Sequence, residues 1–208
     1  MSIVKLNNRG VRSATTFGSI TGLGSMVFIK KLTASSSATL SFVDGSSDVV
    51  LDDTYKEYLF TFKDIHPSVD GAGVNFGFNL SIDSGSNYNV TKTSSHYRAY
   101  HHETNGNTAL EYDSALHLAQ STSVQLIAEN VGADNDQSCA GTLRLFSPAN
   151  TTFVKHYIAS FNVVTHADYC VNHYVGGYAN TTSAVDAIQF KFSSGNIDAG
   201  DICLYGIA

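Results

Sequence analysis

Residues 74–82 read VNFGFNLSI, and residues 55–63 read YKEYLFTFK. In the first stretch, apolar residues occupy every second position, namely Val74, Phe76, Phe78, Leu80 and Ile82. In the second stretch, Tyr58, Phe60 and Phe62 alternate with Leu59, Thr61 and Lys63. A period of two is typical of a β-strand with one buried face. We therefore predict that both segments are strands and that they form the centre of the core.

Further strand-like segments lie on either side of this pair, separated by turn sequences such as Asp44-Gly45-Ser46-Ser47. They cover residues 27–32, 39–43, 95–102, 123–129, 142–146, 153–164, 172–179, 187–192 and 201–207. Only residues 115–120 could form a helical turn. Many short strands without a Pro-rich linker predict an all-β fold. We expect a two-sheet antiparallel β-sandwich of jelly-roll-like form.

The composition of the 208 residues is that of a globular protein with few charges. Hydrophobic residues make up 43% and charged residues 14%, which excludes a disordered chain. No apolar run reaches the roughly 20 residues of a membrane-spanning helix, and the first residues lack the apolar core of a secretory signal. Three cysteines, Cys139, Cys170 and Cys203, are too few for a disulfide scaffold, and we expect them to be small core residues.

Charge is distributed unevenly along the chain. Residues 1–43 contain five basic residues and no acidic one, whereas the rest has seven basic and 18 acidic residues. We predict that residues 1–25, rich in Gly, Ser and Thr, form an extended docking arm in which Lys5, Arg9 and Arg12 select the docking site. Residues 26–208 then form a single sandwich domain. The acidic body would repel phosphate, so we expect a protein partner and not a nucleic acid.

Motifs of enzymes are not apparent. The only glutamates are Glu57, Glu103, Glu111 and Glu129, and no pair among them has the signature of a glycosidase. The chain contains neither a Gly-x-Ser-x-Gly nucleophile motif nor a Gly-rich phosphate loop. We therefore predict a protein without catalytic activity and without a cofactor.

Metal sites have weak support in the sequence. His101 and His102 are adjacent on a predicted strand, so their side chains point to opposite faces and cannot share one zinc ion. His156 and His173 stand singly in apolar strands, where we expect local hydrogen bonds. Asp134, Asn135 and Asp136 offer oxygen ligands in a loop and form a calcium candidate, although such loops usually make turns only.

Tyrosine is plentiful in the middle and late parts of the chain. Its ring provides apolar contact while its hydroxyl stays in water, which suits surfaces that bind sugars or proteins. The residues that we assign to a ligand or receptor surface are Tyr97, Tyr100, His101, Tyr174 and Tyr178. The alternative is that these tyrosines fill the sandwich core and its edges.

Several segments resemble virion proteins of marine bacteriophages that infect cyanobacteria and other ocean bacteria. They are IKKLTASSSATLSFVDGSSDVVLDDTYKEYLFTFKDIHPS (residues 29–68), LAQSTS (118–123), FVKHYIA (153–159) and NTTSAVDAIQFKFSSGNIDAGDICLYGI (180–207). The resemblance implies a structural tail-, fibre- or head-associated β domain, present in several copies on the particle. It transfers no catalytic motif.

These observations together predict a non-enzymatic virion subunit, assembled in the host cytoplasm. We expect a homo-oligomer, with a trimer as the favoured state, that contacts other virion proteins through its arm. The absence of a repetitive shaft favours a head decoration or compact appendage. The alternative is a tail-fibre module for host attachment that recognises surface glycans.

Overall fold

The computed structural model describes residues 25–208, which form twelve β-strands and no helix. The strands are β1 (Met26–Thr33), β2 (Leu40–Val43), β3 (Glu57–Pro67), β4 (Phe76–Ser81), β5 (Lys92–His102), β6 (Thr108–Tyr112), β7 (Gln125–Ala128), β8 (Cys139–Phe146), β9 (Lys155–Val164), β10 (Tyr169–Ala179), β11 (Ala187–Phe192) and β12 (Ile197–Ile207). The predicted arm, with Lys5, Arg9 and Arg12, lies outside the described residues. Within residues 25–208 there is no helix with the length and hydropathy to cross a bilayer.

Two antiparallel sheets pack face to face, so the predicted all-β sandwich is confirmed. The large sheet has the order β1-β12-β3-β8-β9-β10-β5-β6, and the small sheet has the order β2-β11-β4-β7. Consecutive strands from β1 to β4 alternate between the two sheets, and so do β7 with β8 and β11 with β12. The jelly-roll form of the sandwich stays a prediction.

The core lies where the two alternating segments predicted it. Tyr58 and Phe60 are fully buried and Phe62 is 4% exposed, because these side chains of β3 point at the small sheet. The ring centroid of Phe62 lies 5.0 Å from that of Phe190 on β11 of the small sheet and 4.8 Å from that of Phe161 on β9 of the large sheet. Burial of each such ring stabilises the fold by about 1.5–3 kcal/mol, and the contact of Phe62 with Phe190 joins the two sheets.

The segment predicted as a strand over residues 74–82 departs from its prediction in two ways. Strand β4 ends at Ser81, and Ile82 is 44% exposed. The opposite face of β4 is buried as well, since Asn79 donates from Nδ2 to the carbonyl of Thr122, 2.8 Å away. The chain before β7 therefore covers β4 from outside.

Three other local features differ from what the sequence indicated. Residues 108–112 form strand β6, which the sequence did not indicate, because this edge strand is half exposed and weakly patterned. Residues 115–120 form turns and bends and no helical turn. Cys139 is buried as expected, but Cys170 and Cys203 are only partly buried, since they alternate with the inward side chains of β10 and β12.

Strands β5 and β6 extend the large sheet beyond the small one. The inward side chains of Arg98 and Tyr100 therefore face loops, whereas Lys92 at the start of β5 still reaches Asn79 of β4. This end of the sandwich has a polar interior, in contrast to the aromatic layer under β3. The candidate sites described below lie on the two faces of this extension.

Candidate functional site

The outward side of β6, β5, β10 and β9 carries most of the predicted ligand or receptor residues. We call this surface the outer face; its main side chains are Tyr97, His101, Leu110, Tyr112, Ile158, Tyr174 and Tyr178. Tyr97 and Tyr174 stack in parallel, with ring centroids 5.0 Å apart and planes 14° apart. Tyr112 stands opposite Tyr97 in the strand register. Four of the five predicted residues thus share one face.

Tyr100 is separated from the other four. It lies an odd number of positions from Tyr97 on the same strand, so its side chain points to the inner side of the sheet. There it packs edge-on to Tyr169, with centroids 5.8 Å apart, and beneath the guanidinium of Arg98. The structure therefore divides the predicted set between two faces.

The outer face carries no Asp, Glu, Lys or Arg side chain, and histidine is its only titratable residue besides tyrosine and cysteine. In β5, β6, β9 and β10 the Asp, Glu, Lys and Arg residues are Lys92, Arg98, Glu111 and Lys155, and all four lie on the opposite side of the sheet. Its apolar side chains are well exposed: Leu110 is 74%, Tyr112 57% and Ile158 56% accessible. An uncharged, partly apolar surface of this kind favours contact with protein.

The inner side of the same strands holds an ionic cluster that the sequence analysis missed. Arg98 donates from Nε and Nη2 to one oxygen of Glu111, at 2.9 and 2.7 Å. Its Nη1 lies 3.3 Å from Asp113 Oδ2 and also contacts Glu129. Three carboxylates therefore surround one guanidinium, which leaves the cluster with an excess of two negative charges.

Two buried histidines lie next to this cluster. His96 Nε2 is 2.9 Å from His173 Nδ1, and both residues are fully buried. Burial, as the main cause, lowers the pKa of His96 to about 4 and that of His173 to about 3. The prediction that His173 makes local hydrogen bonds was wrong, because its partners are His96 of β5 and the backbone N–H of Glu129. His156, by contrast, is exposed on the outer side of β9.

Two lysines are also buried at the far end of these strands. Lys92 donates to Asn79 Oδ1 at 2.5 Å and to the Val90 carbonyl at 2.9 Å. Lys155 donates to the carbonyls of Phe153 and Thr181, both at 3.1 Å. Burial lowers the pKa of Lys92 to about 7 and also lowers that of Lys155. Both ammonium groups bind loop carbonyls and thus fix the loops at this end.

A cavity of about 350 Å³ opens between the inner side of β5, β6 and β10 and the loops that face it. Its polar lining includes Arg98, Glu129, Asn130 and His166, and its apolar wall includes Tyr100, Tyr169 and Val171. The Nδ1 atom of His166 is buried without a hydrogen-bond partner. This volume and mixed lining are typical of small-molecule sites.

The calcium candidate lies in an exposed turn that does not line the cavity. Asp134, Asn135 and Asp136 are exposed in a turn that the Gln137 N–H closes on the Asp134 carbonyl at 2.9 Å. Across the described part of the chain, no three His, Cys, Asp or Glu side chains converge as ligands of a metal ion would. The calcium candidate stays a prediction.

No family model, curated protein or solved structure matches the chain. The resemblance to phage virion proteins, and everything that it implies about function, therefore remains a prediction that rests on the quoted segments alone.

Proposed function

We propose that this chain is a non-enzymatic structural protein of a bacteriophage particle. In this proposal it is an oligomeric appendage or decoration subunit, assembled in the host cytoplasm and anchored to other virion proteins by residues 1–25. The phage assignment is supported by the sequence resemblance, and the oligomer by the character of the outer face.

The contiguity of the outer face is the observation that carries the oligomer. Tyr97 stacks on Tyr174 and stands opposite Tyr112, while Leu110 stands opposite Ala99. Single exposed apolar residues are ordinary on a protein surface, but a contiguous group on one sheet face marks a contact with another protein. We infer that this contact buries the exposed tyrosine and leucine side chains.

A second copy of the chain is the partner that fits best. The chain as a whole has a net charge of −6, so two copies carry net charge of the same sign and repel each other on average. The outer face lacks Asp, Glu, Lys and Arg, and two such faces can meet without placing like charges together. Closed rotational symmetry is the usual arrangement of identical subunits, and we propose a trimer.

One charged substitution in the outer face tests this proposal. Leu110→Asp places a carboxylate at the most exposed large apolar side chain of the face, where the isolated domain tolerates it because that side chain is 74% accessible. The matched control is Ile82→Asp, at an exposed position after β4 of the small sheet. In analytical ultracentrifugation we expect Leu110→Asp to weaken the oligomer at least tenfold and Ile82→Asp to leave it unchanged. Equal behaviour of the two variants would contradict the proposal.

The second candidate is recognition of host surface glycans by the same face. The observation that favours it is the exposed parallel stack of Tyr97 and Tyr174, because an open ring can pack against a sugar. Phage that carry Tyr174→Ala and Tyr178→Ala would then lose adsorption to host cells while the oligomer persists. Loss of the oligomer with unchanged adsorption of assembled particles favours the structural role.

A further inference from the structure

The cavity behind the outer face lies at the end of the sandwich where the small sheet stops. Its walls come from the inner side of β5 and β10, from the start of β6 and from the segments after β7 and β9. Its volume of about 350 Å³ is within the range of roughly 300–1,000 Å³ that small-molecule sites occupy. None of the exposed tyrosines of the outer face lines it.

The rim of the cavity is held in place by hydrogen bonds between three separate segments. The Glu103 N–H donates to the Asp168 carbonyl at 3.0 Å, which joins the β5–β6 turn to the β9–β10 turn. Asn107 Nδ2 donates to the Tyr169 hydroxyl at 3.2 Å. The His166 N–H donates to the Asn130 carbonyl at 3.1 Å. The cavity is therefore formed before any ligand enters, which lowers the entropic cost of binding.

The charge of the cavity selects against anionic ligands. Arg98 lines the cavity, but its charge is surrounded by Glu111, Asp113 and Glu129. The excess of two negative charges would repel a carboxylate or a phosphate. Carboxylate oxygens accept hydrogen bonds only, so the ligand must supply donors such as hydroxyl groups.

The remaining lining complements a ring with polar edges and apolar faces. Tyr100, Tyr169 and Val171 provide an apolar wall. On the polar side, His166 and Asn130 line the wall, where ring nitrogens and an amide group can exchange hydrogen bonds with a ligand hydroxyl. Asn130 accepts the Gly73 N–H at its side-chain oxygen, 2.7 Å away, so its amide group is held in one orientation at the wall.

We infer that this cavity binds an uncharged, hydroxyl-rich ring, the chemistry of a neutral pyranose unit. Ring hydroxyls donate to the carboxylate of Glu129, which lines the cavity beside Arg98, and the apolar C–H faces pack against Tyr100 and Tyr169. The site is separate from the outer face. If the cavity binds no sugar, the proposed assembly role is unaffected. If the chain does not assemble through the outer face, the sugar site in the cavity is unaffected.

The test is saturation-transfer NMR of the full chain with individual methyl pyranosides of glucose, galactose, mannose and N-acetylglucosamine, and with N-acetylneuraminic acid as the anionic comparison. Ala167→Phe fills the cavity from an exposed lining position without removing a hydrogen-bonding side chain. Ala140→Phe, at an exposed position of β8, is the matched control. Tyr174→Ala tests the outer face separately, and circular dichroism verifies that each variant is folded.

We expect transfer to the ring protons of at least one neutral pyranoside, weakened at least tenfold in Ala167→Phe and unchanged in Ala140→Phe and Tyr174→Ala. The inference is overturned if no neutral pyranoside gives a signal at a sugar concentration of about 10 mM. It is also overturned if Ala167→Phe binds as well as the unmodified chain, if Tyr174→Ala abolishes the signal, or if N-acetylneuraminic acid binds as strongly as the neutral sugars.

Discussion

The Nε2 atom of His96 lies 2.9 Å from the Nδ1 atom of His173 in the interior of the sandwich. The backbone N–H of Glu129 donates to Nε2 of His173 at 3.4 Å, so the proton of the neutral His173 ring lies on Nδ1 and is donated to His96. Burial lowers the pKa of both rings, to about 4 for His96 and about 3 for His173. The pair is therefore uncharged at neutral pH.

This pair makes the fold sensitive to acid. An unfolded histidine has a pKa of about 6.5, so between about pH 6.5 and pH 4 the unfolded chain binds more protons than the folded chain. The contribution of the uncharged pair to the free energy of unfolding is fully present above about pH 6.5. It is lost as the pH decreases, by up to about 1.4 kcal/mol per pH unit for each histidine. Urea denaturation at pH 7 and pH 5 measures this loss.

The matched variants for this prediction are His96→Gln and His156→Gln. His156 is exposed on the outer side of β9, so its replacement leaves the pH dependence unchanged. His96→Gln removes one of the two buried rings and reduces the loss between pH 7 and pH 5. An identical pH dependence in both variants would show that the buried pair is not the cause.

Replacement of Arg98 will destabilise the fold more than replacement of Arg144, which also forms an ion pair with an acidic residue. Arg98→Met leaves Glu111, Asp113 and Glu129 close together without their shared cation. We expect a loss of about 2–4 kcal/mol, toward the range for a broken buried ion pair. Arg144→Met removes a more exposed contact to Glu57, at 3.0 Å, and costs less than about 1 kcal/mol. Urea midpoints measure both, and similar losses would contradict the account.

Gly77 lies where a side chain on the outer side of β4 would collide with the neighbouring segment of the chain. A Cβ atom at this position would lie 2.5 Å from the Gln125 carbonyl oxygen and 2.6 Å from Val124. Gly77→Ala will therefore cost about 1–3 kcal/mol in thermal or urea denaturation, as overpacking does. Gly106→Ala, where the nearest atom would be Thr104 Oγ1 at 3.8 Å, changes stability by less than about 0.5 kcal/mol. Tolerance of Gly77→Ala would mean that the segment before β7 does not pack on β4.

Residues 1–25 are predicted to anchor the subunit through Lys5, Arg9 and Arg12. A chain that lacks these residues should keep the oligomer, since the outer face is intact, and should fail to incorporate into particles. The triple replacement of the three basic residues by Ala should reduce incorporation at least tenfold, as quantified by mass spectrometry of purified particles. Normal incorporation of the truncated chain would remove the arm as the anchor.

The centre of the fold could be predicted because its signal is local. Tyr58, Phe60 and Phe62 alternate with polar or smaller residues, and such a pattern places one face in the core whatever the strand order is. Ile82 continued the pattern by sequence but lies beyond the last paired residue of β4, since strand ends are set by pairing partners that a single segment does not reveal.

The ionic cluster and the cavity could not be predicted because they depend on topology. Glu129 follows β7 of the small sheet, whereas Arg98 and Glu111 belong to a hairpin at the edge of the large one. Without strand β6 in the prediction, the opposition of Arg98 and Glu111 had no basis. The placement of Tyr97 and Tyr100 on opposite faces could be predicted from the sequence, because residues three apart on a strand point to opposite faces.

The molar mass of the full chain in solution tests the central claim most directly. Light scattering over a concentration series should give three times the chain mass of 22.3 kDa, and that mass should persist without residues 1–25 because the outer face remains. A mass of one chain at concentrations of about 50 µM, where a subunit of micromolar affinity would be assembled, would contradict the account.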